Sequence, residues 1–193
     1  MGTTIALVVF DDFTDLDLFL PWDLLNRVRL VGGRDDWQVK IVGTEATHVS
    51  QAGLRIPTTG FVEEAVDADA VLFTSGPRVP ALIEDGRYMN RFSLSPERQL
   101  IGSMCSGALF LAKLGLLTGM EATTYPTRRK LLASMGAKVV DRGFVENGNV
   151  ATAAGCLAGQ DLSAWIIRTL ADQAMVDSVI DSVLPVEQMV ITK

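Results

Sequence analysis

The sequence predicts an α/β protein whose sheet is mostly parallel and covered by helices. Its strongest apolar runs lie at residues 5–10, 37–42, 70–76 and 99–104, and they do not alternate with polar residues. Runs of this kind indicate strands that are buried on both faces, as in a parallel sheet between helical layers. Each run is followed by a helical pattern or a turn signal, which is the order expected of an α/β fold.

Weaker patterns complete the predicted order of elements. Further short strands are predicted at residues 53–56, 120–124, 137–140 and 149–154. Apolar residues at helical spacing predict helices at residues 17–30, 80–92, 106–116, 127–135 and 159–175. Around Asn147-Gly148, a strong turn signal joins two short strands, so an antiparallel hairpin is expected beside the parallel strands. The tail from Met175 onward could continue the last helix, pack on a partner or fray.

Length and charge limit the classes of protein that the chain can belong to. A chain of 193 residues, 48% of them hydrophobic, predicts one compact domain over residues 1–193. A net charge of -6 argues against binding to nucleic acid or to a membrane surface, because both attract clustered lysines and arginines. The one basic cluster, residues 128–130, is expected to be a solvated helix face. The apolar run after Met1 is too short for a signal peptide or a membrane span, which predicts a soluble cytoplasmic protein.

The two cysteines predict free thiols. Cys105 and Cys156 lie far apart in the chain and in no metal-ligand spacing. A disulfide is not expected in a reducing compartment, and neither a metal site nor a cofactor is expected from this pattern.

Cys105 is the strongest candidate for chemistry. A predicted strand passes into a helix at this residue without a loop, and Ser106, Gly107 and Ala108 supply the small side chains that such a tight turn needs. A thiol at the amino end of a helix is expected to have a depressed pKa. The alternative is a buried thiol that acts as a small hydrophobic side chain. For Cys156 this core role is the favoured interpretation.

A nucleophilic cysteine usually needs a group that handles its proton. The only histidine, His48, lies between predicted strands and is expected to be a surface or hydrogen-bonded side chain, so a carboxylate is the better candidate. Asp17 lies at the start of the first predicted helix, where Thr14 and Asp17 could instead form a capping box. Other acids compete for the role, and the pattern leaves open which one faces inward: Asp11, Asp12, Asp15 and Asp23.

Five segments along the chain resemble the DJ-1/PfpI (ThiJ) superfamily in its isocyanide hydratase-like branch. They are "DLDLFLP", "SGPR", "SMCSGALFLAKLGLLTG", "ATTYP" and "TAAGCLAGQDL". The resemblance implies a flavodoxin-like doubly wound sandwich that forms a homodimer, with Cys105 as nucleophile and Asp17 as its partner acid. It also implies an anion or substrate pocket formed by Gly76, Ser106, Thr124 and Tyr125.

Three departures from the family's pattern bear on the substrate. Pro77 stands where the family often has a second glycine, and it removes one amide donor. Tyr125-Pro126 stands where relatives have His-Trp, which removes a histidine that other members place beside the cysteine. Leu20 replaces a glycine that commonly precedes the proline, and it adds bulk. A hydrolytic triad is therefore not expected.

The residues and the resemblance together predict a small-molecule enzyme. A thiolate and a carboxylate suffice to add water to an isocyanide and to give an N-substituted formamide, without histidine or metal. Two alternatives stay open: a sensor or binding domain that responds to a ligand or to oxidation of Cys105, and an enzyme of the glyoxalase or deglycase type.

Overall fold

The computed structural model describes residues 2–185 of the chain. Its strands, in chain order, are β1 (Thr3–Val8), β2 (Trp37–Gly43), β3 (Thr47–Val49), β4 (Arg55–Pro57), β5 (Gly60–Phe61), β6 (Ala70–Phe73), β7 (Leu100–Met104), β8 (Glu121–Ala122), β9 (Lys138–Val139), β10 (Phe144–Asn147) and β11 (Val150–Ala153). Its α-helices are α1 (Asp15–Leu30), α2 (Val79–Leu82), α3 (Gly86–Met89), α4 (Ala108–Lys113), α5 (Arg129–Ser134), α6 (Gly159–Leu170) and α7 (Gln173–Asp181). No helix in this part of the chain is long and apolar enough to cross a membrane.

The main sheet has seven strands in the order β10-β11-β7-β6-β1-β2-β5. All neighbouring pairs are parallel except β10 and β11, so the predicted α/β class and the mostly parallel sheet are confirmed. Two pairs of short strands lie outside this sheet, the antiparallel β3 and β4 and the parallel β8 and β9.

The central strands are buried on both faces. Residues 5–8 of β1 are all inaccessible to solvent, as are residues 70–73 of β6. Because successive strand residues point to opposite faces, four consecutive buried residues require cover on each side. Helices α1, α6 and α7 pack against one another as one group, and α4 contacts α2 and α5 in another.

The predicted hairpin forms at one edge of the main sheet. In its register Asn147 faces Val150, so the two turn residues are Gly148 and Asn149. The turn is therefore one residue later than the predicted Asn147-Gly148 centre. Gly148 has a φ of 58°, a conformation that glycine adopts without steric cost.

Two predicted helices are each broken by an aspartate. Residues 80–92 form α2 and α3 instead of one helix, because the side chain of Asp85 accepts hydrogen bonds from the amides of Arg87 and Tyr88 and so begins a new helix. Asp172 caps α7 in the same way and ends the predicted helix over residues 159–175 at Leu170. Residues 186–193 of the predicted tail lie outside the described residues.

Candidate functional site

A cavity of about 330 Å³ lies beyond the carboxyl ends of β6, β7 and β11. Ligands bind at this edge in open parallel sheets, and the volume is at the lower end of the range for small-molecule sites. Its walls include Asp17, Ser75, Gly76, Cys105, Tyr125 and Cys156. Segments that are distant in the sequence therefore meet at one site.

Cys105 lies at the sharp turn that follows β7. Its φ is 47°, in the left-handed region that side chains other than glycine rarely adopt, and its residue surface is 4% exposed. Residues Cys105–Gly107 form a single turn of 3-10 helix that leads directly into α4. A Cβ atom at Gly107 would lie 2.7 Å from the carbonyl oxygen of Thr74, so the close approach of this turn to the end of β6 requires glycine.

Asp17 is fully buried in the first turn of α1. Its Oδ2 atom accepts a hydrogen bond from the hydroxyl of Ser75, which follows β6. Its Oδ1 atom is buried and has no hydrogen-bond partner among the described residues. The Thr14 side chain makes no capping bond, so the alternative of a capping box is not formed, and the Asp17 carboxylate lines the cavity.

Two thiols face the Asp17 carboxylate. The sulfur atoms of Cys105 and Cys156 and a carboxylate oxygen of Asp17 all lie within 4.8 Å of one another. Cys156 begins a short 3-10 turn after β11 and is only partly buried. The favoured core role for Cys156 is therefore wrong, because its side chain lines the cavity.

The surroundings of both thiols favour the protonated form. Burial, followed by the negative charge and the hydrogen bonding of Asp17, raises the pKa of Cys105 far above its ordinary value. The same causes raise the pKa of Cys156 to about 11. The expected depression of the Cys105 pKa by the following helix is wrong in direction, since burial and the nearby carboxylate outweigh it.

Backbone groups complete the wall around Cys105. The amide of Gly155 is directed at the Cys105 sulfur and opposes the rise of its pKa. The amide of Gly76, expected to bind an anion, donates to the Ser106 hydroxyl at 3.3 Å. Thr124 was expected to line this pocket, but it does not. Its hydroxyl donates to the Cys105 carbonyl at 2.9 Å and so holds the turn from the protein interior.

Comparison with known proteins identifies the chain's relatives. The DJ-1/PfpI family matches residues 3–169. The chain belongs to the DJ-1/PfpI family. An isonitrile hydratase from Pseudomonas putida is 30% identical over 172 residues, 88% of this chain and 73% of that protein. Protein dj-1beta from Drosophila melanogaster is 26% identical over 95% of this chain and 98% of its own length. A ThiJ/PfpI family protein from Pseudomonas syringae has a solved structure with a TM-score of 0.83 and 27% identity, and the match covers 96% of this chain and 76% of that one.

In this DJ-1/PfpI protein, Tyr125, Thr127 and Arg128 form one part of the cavity wall. Tyr125 lines the cavity and is half exposed. Arg128 lines the same cavity, and its side chain forms no ion pair or hydrogen bond with the described residues, whereas Lys130 is exposed to solvent. Lys130 is therefore solvated as expected, whereas Arg128 is half-buried and lines the cavity.

His48 lies apart from the cavity of Cys105. It is buried, and its Nδ1 atom is 3.1 Å from the Asp11 carboxylate, as expected of a hydrogen-bonded histidine. It lines a different surface depression together with Arg78 and Tyr88. No histidine among the described residues is therefore available to Cys105.

Sequence reasoning missed Ser75 and the cavity-facing position of Cys156. Ser75 is the second residue after the buried strand β6, and Cys156 is the third after β11. The carboxyl ends of neighbouring parallel strands meet at one edge, so a polar or sulfur-bearing residue at each end was the signal that could have found both.

Proposed function

We propose that this protein adds water to an isonitrile, with Cys105 as the nucleophile on a nucleophile elbow and Asp17 as the group that transfers protons. The observation that carries the proposal is the buried pairing of the Asp17 carboxylate with the Cys105 thiol in one cavity. The similarity to an isonitrile hydratase over 88% of the chain supports the same reaction class. A homodimer and a single-domain organisation remain predictions.

The first step joins the Cys105 sulfur to the terminal carbon of the isonitrile. Because the thiol pKa is raised, the proton rests on the Cys105 sulfur before the reaction. Asp17 accepts this proton as the carbon–sulfur bond forms, and it then delivers the proton to the same carbon. The product is a thioimidate, R–N=CH–S–Cys105, and the carboxylate is regenerated.

The second step hydrolyses the thioimidate. Asp17 removes a proton from water as the hydroxyl group adds to the carbon, and it passes that proton to the nitrogen. The tetrahedral adduct then loses the Cys105 sulfur, which recovers a proton from the new hydroxyl group through Asp17. One water has been added, and the product is the formamide R–NH–CHO. The unpartnered Oδ1 atom of Asp17 is suited to both transfers, while the Ser75 hydroxyl fixes the other oxygen.

The test is turnover of a simple alkyl or aryl isonitrile, followed by formation of the formamide. We expect no turnover from Cys105→Ala and a loss of about 10²- to 10⁴-fold in kcat from Asp17→Asn, the usual contribution of a proton-transferring side chain. Asp15→Asn is the matched control, since Asp15 lies in the same helical turn and its carboxylate contacts the amide of Ala52 instead of the thiols.

Three results would contradict the proposal. They are full activity of the Cys105→Ala variant, equal losses from Asp15→Asn and Asp17→Asn, and absence of turnover by the wild-type chain with any isonitrile tried. Conversion of methylglyoxal in place of isonitriles would support the glyoxalase-type alternative.

Arg128 indicates which isonitriles should react best. It is the one cation lining the cavity among the described residues, and no acidic side chain there pairs with it. We expect a carboxylate-bearing isonitrile to have a higher kcat/KM than its neutral methyl ester. Arg128→Gln should remove this preference mainly through KM, whereas Lys130→Gln, at an exposed position nearby, should keep it. An unchanged preference in the Arg128 variant would show that the guanidinium does not contact the substrate.

A further inference from the structure

Cys156 has no role in the proposed hydration, although its sulfur lies in the same cluster as the two residues that do. Its Sγ atom, the Sγ atom of Cys105 and a carboxylate oxygen of Asp17 lie within 4.8 Å of one another. The three side chains come from the start of α1, the end of β7 and the end of β11. Their spacing in the sequence therefore could not reveal them as a group.

The donors in this cluster are those of a binding site for a soft cation. Thiolates select Zn²⁺ and its softer relatives over Mg²⁺ and Ca²⁺, and one carboxylate is a common additional ligand. Asp17 is fully buried, and its Oδ1 atom has no hydrogen-bond partner among the described residues. An unpartnered buried carboxylate oxygen is costly, and a cation would supply the missing partner.

We propose that Asp17, Cys105 and Cys156 form a three-ligand site for a thiophilic divalent cation of the Zn²⁺ class. Zinc–sulfur bonds of about 2.3 Å in tetrahedral geometry place two sulfur atoms about 3.8 Å apart. A zinc–oxygen bond of about 2.0 Å places sulfur and oxygen about 3.5 Å apart, so the present separations of up to 4.8 Å need to shorten by about 1.3 Å at most. Cys156 is only partly buried and begins a 3-10 turn, so rotation of its side chain can supply this movement. Three protein ligands leave the fourth position open to the cavity.

Binding exchanges protons for the cation. The Asp17 carboxylate contributes its oxygen without a proton, and each thiol gives up its proton as its metal–sulfur bond forms. One cation therefore releases two protons to the buffer, and the oxidation state of every atom is unchanged. The cation also compensates the negative charge of Asp17 and of the two thiolates that form on binding, in a cavity wall whose one described cationic side chain is Arg128.

The metal site does not depend on the proposed hydration. If both are correct, the cation occupies the nucleophile and the proton carrier and so inhibits turnover. A chain that binds the cation but hydrates no isonitrile would leave the metal site intact and contradict the hydratase alone. A chain that hydrates isonitriles without inhibition by Zn²⁺ would contradict the metal site alone.

The experiment titrates Zn²⁺ into the reduced, chelator-treated full-length chain by calorimetry in buffers with different ionisation enthalpies. We expect one Zn²⁺ per chain and release of about two protons, falling to about one in Cys156→Ser. Cys156→Ser should also bind Zn²⁺ at least about tenfold more weakly, because losing a residue that only hydrogen-bonds to a metal ligand already weakens binding by about that factor. Leu157→Ser is the matched control, because Leu157 is 77% exposed and its side chain does not line the cavity.

Co²⁺ provides a second readout that reports the ligands directly. The thiolate-to-cobalt absorption band should have about half its wild-type intensity in Cys156→Ser and should be absent when both cysteines are serine. Equal affinity and equal band intensity in wild type and Cys156→Ser would overturn the site. So would proton release by the wild-type chain of one or fewer per Zn²⁺, which requires no variant to fold.

Discussion

Cys105 combines a backbone conformation and a side-chain environment that are both unfavourable by themselves. A left-handed φ costs a residue other than glycine about 1–2 kcal/mol, and burial beside a carboxylate opposes ionisation of the thiol. Strained residues of this kind concentrate at functional sites, where the surrounding structure holds them in place. Here the Thr124 hydroxyl and the close approach of Gly107 to β6 provide that support.

The charge of Asp17 should control the reactivity of Cys105. Replacing Asp17 by Asn removes the negative charge and the acceptor that favour the protonated thiol, so the pKa of Cys105 should fall. The rate of alkylation by iodoacetamide between pH 7 and pH 9 should then rise. The profile should be recorded in a Cys156→Ala background, which leaves one thiol. Asp15→Asn should leave the profile unchanged, and a slower reaction in the Asp17 variant would contradict the assigned cause.

Pattern and resemblance were sufficient to select Cys105 and Asp17, which the structure brings together, and insufficient for the residues around them. The elbow of small residues after a strand is visible in the sequence. The choice among five nearby acids is not, because it depends on which side of α1 faces the sheet. The direction in which the Cys105 pKa is shifted was missed for a related reason. The start of a helix is visible in a sequence, whereas the burial of a thiol beside a carboxylate that is distant in the sequence is not.

The turn from β7 into α4 is the element on which the position of Cys105 depends. It passes so near the end of β6 that a Cβ atom at Gly107 would lie 2.8 Å from the Phe73 carbonyl oxygen as well as 2.7 Å from that of Thr74. Backbone atoms of two sheet-bound segments cannot move aside easily. Any side chain at Gly107 would therefore displace the turn and, with it, Cys105.

Gly107→Ala tests this dependence against Gly143→Ala. We expect the first variant to lose about 1–3 kcal/mol of unfolding free energy, as overpacked sites do. Any isonitrile turnover should fall by more than the loss of folded protein explains, because the Cys105 nucleophile is displaced. At Gly143 the nearest atom to an added Cβ is 3.9 Å away, so urea unfolding should change by less than about 0.5 kcal/mol. Similar unfolding curves for the two variants would show that the turn can relax.

The two helices that were predicted too long share a physical cause. The long strands were predicted from continuous apolar runs, and α1 was predicted from apolar residues at helical spacing. The helices predicted over residues 80–92 and 159–175 were each divided by an aspartate, at Asp85 and Asp172, whose side chain caps a new helix. Apolar spacing continues across such a break, since both pieces pack on the same core. The two-residue strand β5 is too short to produce any pattern.

At the scale of the whole molecule, buried groups that hold protons more tightly in the folded state link stability to pH. Burial raises the pKa values of Tyr88 and Cys105 above their ordinary values of 10.0 and 9.0. The unfolded chain therefore loses these protons at lower pH than the folded chain does. Their stabilising effect is complete below about pH 9 and declines as the pH rises further.

We expect the unfolding free energy to fall above pH 9, by up to about 1.4 kcal/mol per pH unit for each of these two groups. Urea unfolding at intervals from pH 8 to pH 10.5 measures the slope. Cys105→Ala should reduce the slope from pH 9, where Cys156 with its raised pKa keeps part of the dependence, and Tyr88→Phe should reduce the slope near pH 10. The Tyr88 hydroxyl has no partner among the described residues, so its removal should cost little at neutral pH. A stability that stays constant to pH 10.5 would contradict this linkage.

The strand order of the main sheet also has a consequence for synthesis. After β1, β2 and β5, the strands β6 and β7 are each added outside the previous one, and the hairpin of β10 and β11 then joins the sheet by pairing β11 with β7. A chain emerging from the ribosome can therefore extend one edge of the sheet stepwise, and β7 offers an unpaired edge until the segment that contains β11 has been made. The segment with Cys156 follows β11 directly. In the nascent protein, Cys105 thus lies beside an open sheet edge until β11 has been synthesised and pairs with β7.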